Sequence, residues 1–150
     1  MADVVVIAAH PHLERSRVNR ALLNAARKLD AARVEVRDLY ALYPDYWIDV
    51  AAEQAALAAA RLVVWQHPIH WYSMPPLQKL WLDEVFTWGW AYGAGGTALQ
   101  GKGFWLAATT GGPITAFIIV MEMVSGQSMV LSLMACSLLA SGVARLVTKP

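Results

Sequence analysis

A run of imidazole, aromatic and proline side chains stands in the middle of this chain. Residues 66–81 read QHPIHWYSMPPLQKLW and directly follow the apolar, strand-like residues 62–65. An aromatic, proline-stiffened loop at the carboxyl end of a strand is where an open α/β sheet places a flat ligand. The same aromatic rings could pack into a core instead. Their position between a strand end and a Pro-Pro helix start favours a ring-binding role, with a flavin as the expected ligand.

Two further loops have residue types suited to ligand binding. Ser16 is a plausible helix N-cap with Asn19 in the first turn, and the nearby Arg15 and Arg17 could help to hold a phosphate. An ordinary N-cap beside solvated arginines explains the same residues. The run TTGG at 109–112 offers backbone N–H groups and glycines that allow a planar ring to approach, although it also suits a plain turn.

Several other chemistries find no support in the residue spacing. His67 and His70 have no third metal ligand at a recognised spacing, so we expect no metal site. The chain lacks a Gly-Lys-Ser/Thr phosphate loop and a Ser/His/Asp or Cys/His nucleophile arrangement. Cys136 lies in an apolar segment and is expected to serve packing alone.

The elements that must position these loops alternate along the chain. Apolar and β-branched runs predict strands over 4–9, 34–39, 62–65 and 103–109, and helical spacing predicts helices over 17–29, 51–60 and 75–88, with loops at 40–50 and 88–103. This β-α-β order predicts an α/β, doubly wound parallel sheet. Right-handed crossovers would bring the loops after strands one, three and four to one edge, so the three loops should line a single crevice.

Composition narrows the class of protein. The 150 residues suit one domain, and a net charge of +1 gives no electrostatic case for nucleic acid. A single cysteine excludes an intrachain disulfide, and residues 1–4 lack the basic start of a signal peptide, so a cytoplasmic location is expected. Of the 12 Lys/Arg and 11 Asp/Glu, all but Glu122, Arg145 and Lys149 lie within residues 1–112, which indicates a different environment for residues 113–150.

Residues 3–112 resemble the flavodoxin-like NAD(P)H:quinone oxidoreductases, and among them the ancillary subunits of glutathione-gated potassium efflux systems. The resemblance rests on AHP at 9–11, Ser16 with Asn19, DLYALYPD at 38–45, IDVAAEQ at 48–54, residues 64–81, GWAYG at 89–93 and TTGG at 109–112. It implies FMN as the cofactor rather than FAD, with NAD(P)H as co-substrate. The implied reaction passes a hydride from NAD(P)H to the flavin and then two electrons to a quinone.

The resemblance also implies which residues hold the flavin. The flavin tail would contact His10, Ser16, Arg17, Val18 and Asn19, and the ring would contact Ile69, His70, Trp71, Tyr72, Thr109, Thr110, Gly111 and Gly112. It further implies a homodimer and a partner in the potassium efflux channel subunit, hence a place at the inner face of the cell membrane. Two alternatives stay open: a catalytically weak flavin- or nucleotide-binding regulatory module, and a non-functional chimeric fragment.

The pattern of the family is lost after Gly112. Residues 113–150 resemble a membrane helix pair of CLC chloride channels, which predicts a fusion or frameshift product, an apolar helical segment after strand four, and contact with a membrane. These helices could instead fold back and cover the edge where a fifth strand is missing. On this division, residues 1–112 form an incomplete FMN-binding domain, with stability and turnover expected to be impaired.

Overall fold

The computed structural model describes residues 2–71 and 73–109. Strands and helices alternate as the sequence predicts. A short 3-10 turn at Leu13–Arg15 lies between the first strand and the first helix. The strands are β1 (Val4–Ala8), β2 (Val34–Asp38), β3 (Leu62–Pro68) and β4 (Gly103–Thr109), and the helices are α1 (Arg17–Ala26), α2 (Leu39–Leu42), α3 (Val50–Ala59) and α4 (Pro76–Val85).

The four strands form one parallel sheet in the order β2-β1-β3-β4. Val4 pairs with Val34 on one side and with Leu62 on the other, and Leu62 pairs with Gly103. Strand β2 therefore lies on one side of β1, and the chain then crosses over the sheet to place β3 on the other side of β1. The crevice between β1 and β3 is the switch point at which open α/β sheets bind ligands.

Strand β1 is buried on both faces of the sheet, as its continuous apolar run predicts. Val5 and Ile7 belong to the main core, together with Leu57 of α3 and Trp81 of α4. Successive side chains of a strand point to opposite faces, so the buried Val6 faces the other side of the sheet.

Several predicted element bounds were wrong, among them the end of α4, which lies at Val85 instead of about residue 88. Helix α1 ends at Ala26 instead of residue 29, because the N–H groups of residues 28 and 29 bond three residues back and the chain then turns at Asp30. The predicted loop 40–50 begins as the one-turn helix α2, in which the N–H of Tyr43 donates to Leu39 O at 2.9 Å.

A further difference concerns β3, which continues to Pro68 rather than ending at Trp65. Its last residues pair with β4, where Pro68 stands opposite Thr109. A proline cannot donate a ladder hydrogen bond, and the N–H of Ile69 donates to Thr109 O at 3.1 Å directly after it. The predicted apolar helices of residues 113–150 lie outside the described residues.

Candidate flavin-binding site

The described parts of the loops that the sequence predicts to converge lie together at the carboxyl edge of the sheet. The N–H of Ala9, where β1 ends, donates to Gln66 O of β3 at 2.9 Å. Ile69, where β3 ends, is joined to Thr109 of β4 in the same way. Direct hydrogen bonds thus hold the ends of three strands in one group.

Ser16 caps α1 at this edge. Its backbone is extended, and its Oγ accepts a hydrogen bond from the N–H of Asn19 at 3.2 Å. Arg17 and Val18 form the first turn of the helix, where N–H groups lack acceptors within the helix. The start of a ten-residue helix with a hydroxyl cap is suited to an anion such as phosphate.

The side chain of Asn19 connects this helix start to β4. Asn19 is only 3% exposed, and its Nδ2 donates to Ser16 Oγ at 3.1 Å and to Thr109 Oγ1 at 2.8 Å. Its backbone carbonyl accepts from Gln66 Nε2 at 2.9 Å. Three predicted site residues are therefore in direct contact, together with Gln66, which the sequence analysis missed. The sequence signal that could have identified Gln66 is its position as a polar residue at the end of an otherwise apolar strand.

The loop after β3 presents Trp71 to solvent. The N–H groups of His70 and Ser73 each donate to the other residue's carbonyl, at 2.8 and 2.9 Å, which closes a tight turn. Trp71 lies at its tip, 94% exposed and with a φ of 47°. This left-handed conformation is strained for a residue other than glycine, and such strain is concentrated at functional sites.

Two histidines near the strand ends favour their neutral forms. Burial lowers the pKa of His10, and the nearby His70 lowers it further. His10 Nδ1 accepts from the backbone N–H of His12 at 3.1 Å, so the ring proton of neutral His10 is on Nε2. Burial is also the main cause of a lowered pKa at His67, whose Nδ1 lies 2.8 Å from Pro68 O and donates to it.

The predicted residues His10, Ser16, Arg17, Val18, Asn19, Ile69, His70, Trp71 and Thr109 all lie in the loops and element ends at this edge. The other predicted residues, Tyr72, Thr110, Gly111 and Gly112, fall outside the described residues. Within residues 2–71 and 73–109, no three His, Cys, Asp or Glu side chains are grouped to hold a metal ion. In the same ranges, no helix is both long enough and apolar enough to span a membrane.

Comparison with known families identifies the architecture. The family described as "Flavodoxin-like fold" matches residues 2–125. The chain belongs to this flavodoxin-like family. The match runs past Gly112, where the sequence analysis placed the end of the domain, and no comparison supports the resemblance of the tail to CLC channels. The division at residue 112 stays a prediction.

One curated relative of this flavodoxin-like protein is the glutathione-regulated potassium-efflux system ancillary protein KefF of Citrobacter koseri. The two are 57% identical over 116 residues, which span 77% of this chain and 65% of the relative. The chain thus matches less than two thirds of that protein's length.

Solved structures show the same architecture. General stress protein 14 of Treponema denticola, solved in complex with FMN, has a TM-score of 0.77 and 34% identity, over 97% of this chain and 95% of its own. An NADPH-quinone reductase from P. pentosaceus has a TM-score of 0.65 and 27% identity, over 97% and 79%. A structure described as a thermophilic tryptophan halogenase from Streptomycin violaceusniger has a TM-score of 0.71 and 39% identity, over 93% and 78%.

Proposed function

We propose that this protein binds FMN at the carboxyl edge of its sheet and uses it as an NAD(P)H:quinone oxidoreductase. The observation that carries the proposal is the hydrogen-bonded group of Ser16, Asn19 and Thr109. It brings an anion-binding helix start next to the strand ends that precede the two predicted ring-binding loops. A flavin mononucleotide needs this combination, because it has a phosphate at one end and a planar ring at the other.

The residues present fit such a ligand. The Ser16 hydroxyl and the first turn of α1 would receive the phosphate. The exposed indole of Trp71 would pack against the ring, near the strand ends where Ile69 is hydrogen-bonded to Thr109. Bound FMN would supply two-electron redox chemistry between NAD(P)H and a quinone, and these residues of the chain would orient it.

The relatives support both the proposed cofactor and reaction and a proposed partner. One solved relative holds FMN, and another is described as an NADPH-quinone reductase. The similarity to KefF supports a further role as an ancillary subunit of a potassium efflux system. The homodimer and the place on the cytoplasmic side of the channel rest on the family resemblance of the sequence alone.

The decisive experiment titrates the purified full chain with FMN and with FAD, following the quenching of flavin fluorescence. We expect saturable binding with a lower Kd for FMN, and oxidation of NADH or NADPH that requires an added benzoquinone. Binding without quinone-dependent oxidation would favour the alternative of a regulatory flavin-binding module. Absence of binding at saturating FMN would overturn the proposal.

A matched pair of variants locates the site within the same experiment. Trp71→Ala removes a 94% exposed ring at the carboxyl edge, and Leu29→Ala removes a 57% exposed side chain that follows α1 at the opposite edge. Both side chains are exposed, so neither change should unfold the protein. Only Trp71→Ala should weaken the binding of FMN, and equal effects of the two variants would contradict the placement.

A further inference from the structure

The hydroxyl of Ser16 is held by two hydrogen bonds from one residue. The backbone N–H and the side-chain Nδ2 of Asn19 both donate to Ser16 Oγ, at 3.2 and 3.1 Å. A serine hydroxyl has two acceptor positions and one hydrogen. Since Asn19 fills both acceptor positions, the only hydrogen bond left to Ser16 Oγ is one in which it donates its own hydrogen.

The orientation of the Asn19 amide is fixed by its other partner. Nδ2 also donates to Thr109 Oγ1 at 2.8 Å, while Oδ1 has no partner among the described residues. The reversed amide would leave two buried N–H hydrogens without acceptors, whereas the present one leaves a single carbonyl oxygen. Buried unpaired donors are the rarer defect, so the observed orientation is the favoured one.

We propose that Asn19 is a positioning residue that makes the Ser16 hydroxyl a committed hydrogen-bond donor to the flavin phosphate. This inference rests on the proposed function. A phosphate at neutral pH offers mainly acceptor oxygens, so a hydroxyl held as a donor binds it without first being reoriented. Asn19 itself has no side-chain hydrogen left for a phosphate, because both Nδ2 hydrogens are already used.

This differs from the expectation that Asn19 contacts the flavin tail directly. The side chain of Asn19 is buried. Its backbone carbonyl accepts a hydrogen bond from Gln66 Nε2, which fixes the start of α1 against β3. The residue therefore acts on the phosphate through Ser16. It also links the phosphate end of the site to the ring end, through Thr109.

The test compares FMN with riboflavin, which has the same ring but no phosphate. Asn19→Leu keeps the branched arrangement of the side-chain heavy atoms and removes both Nδ2 donors. We expect the preference for FMN, measured as the ratio of the riboflavin Kd to the FMN Kd, to fall on the order of tenfold, as for the loss of one charge-assisted hydrogen bond. Ser16→Ala should lower the ratio equally, and the double variant should lower it no further.

Each outcome separates the inference from the proposed function. If Asn19→Leu weakens FMN and riboflavin by the same factor, or if the two changes add in the double variant, Asn19 has a purely structural role and the inference is overturned while flavin binding stands. If the wild-type chain binds no FMN, the proposed function and the inference are both overturned.

A second pair of variants covers the case in which Asn19→Leu fails to fold. Ser16 is only partly buried, so Ser16→Ala and Ser16→Thr should both remain folded, which circular dichroism would check. Ser16→Thr keeps the hydroxyl and should keep the preference for FMN, whereas Ser16→Ala should lose it. An unchanged ratio in Ser16→Ala would overturn the inference.

Discussion

The carboxylate of Glu53 is fully buried and is paired with the guanidinium of Arg37, with N–O distances of 2.7 to 2.9 Å. Tyr43 donates its hydroxyl to the same carboxylate. Burial and the neighbouring Glu53 raise the pKa of Tyr43 to about 12, so the phenol stays protonated and keeps donating. The group joins β2 to α3 and to the end of α2, which fixes the segment between β2 and α3.

Glu53→Gln is expected to destabilise the protein by about 3 kcal/mol, since it removes the buried anion of Arg37 and leaves only the partly exposed Glu35 beside the guanidinium. Glu35→Gln is the matched control, because Glu35 pairs with the same guanidinium from a side chain that is 40% exposed. Its loss should cost less than about 1 kcal/mol. Urea unfolding measures both changes, and equal losses would contradict the central role of Glu53.

Gln78 in α4 is also buried and polar, but unlike Glu53 its side chain has no hydrogen-bond partner among the described residues. It is fully buried, and neither Nε2 nor Oε1 has a hydrogen-bond partner among the described residues. Gln78→Leu should therefore raise the free energy of unfolding by about 1–3 kcal/mol, by removing a desolvated amide.

Gln54→Leu is the matched control for that substitution. Gln54 Nε2 donates to Val85 O at 2.9 Å and to Thr87 Oγ1 at 3.2 Å. Its replacement should lower the free energy of unfolding by about 1 kcal/mol. Thermal melting of both variants measures the contrast, and a lower Tm for Gln78→Leu would contradict the assignment of an unpaired amide.

The sheet and the edge that carries the site were predictable from residue pattern alone. Continuous β-branched runs such as 4–8 mark strands buried on both faces, and the alternation with helices determines which strand ends meet. The convergence of Ser16 and Thr109, which lie more than 90 residues apart, followed from this topology rather than from any local signal.

The contacts within the site were not predictable in the same way. That Asn19 Nδ2 reaches Thr109 Oγ1, or that Gln66 holds the carbonyl of Asn19, depends on side-chain directions that only the packed structure determines. The left-handed backbone of Trp71 could not be predicted from the sequence either, because tryptophan has no local preference for that conformation. One-turn helices such as α2 escape pattern analysis because they are too short to show a period.

Two substitutions of Trp71 distinguish the effect of its backbone strain on stability from the effect of its ring on ligand binding. Trp71→Gly and Trp71→Ala both remove the exposed ring, but only glycine adopts a φ of 47° without cost. The glycine variant should therefore be more stable than the alanine variant by about 1 kcal/mol, while both bind FMN several-fold more weakly than the wild type because ring contacts are lost. Chemical unfolding and flavin titration measure the two effects. Equal stability of the variants would show that the turn relaxes around Trp71.

The buried His67 predicts a loss of stability in acid. Burial lowers its pKa in the folded state, whereas the unfolded chain has the ordinary value of 6.5. As the pH falls below 6.5 the unfolded state binds a proton that the folded state resists, so this contribution to stability is complete above pH 6.5 and declines towards the folded pKa. His10, whose pKa burial and His70 also lower, adds a decline of the same sign.

His67→Asn keeps a polar side chain but removes the titrating ring, so its Tm should fall less between about pH 7.5 and about pH 5 than that of the wild type. Differential scanning fluorimetry across this range measures both proteins, and identical slopes for His67→Asn and the wild type would contradict a His67 pKa that burial lowers.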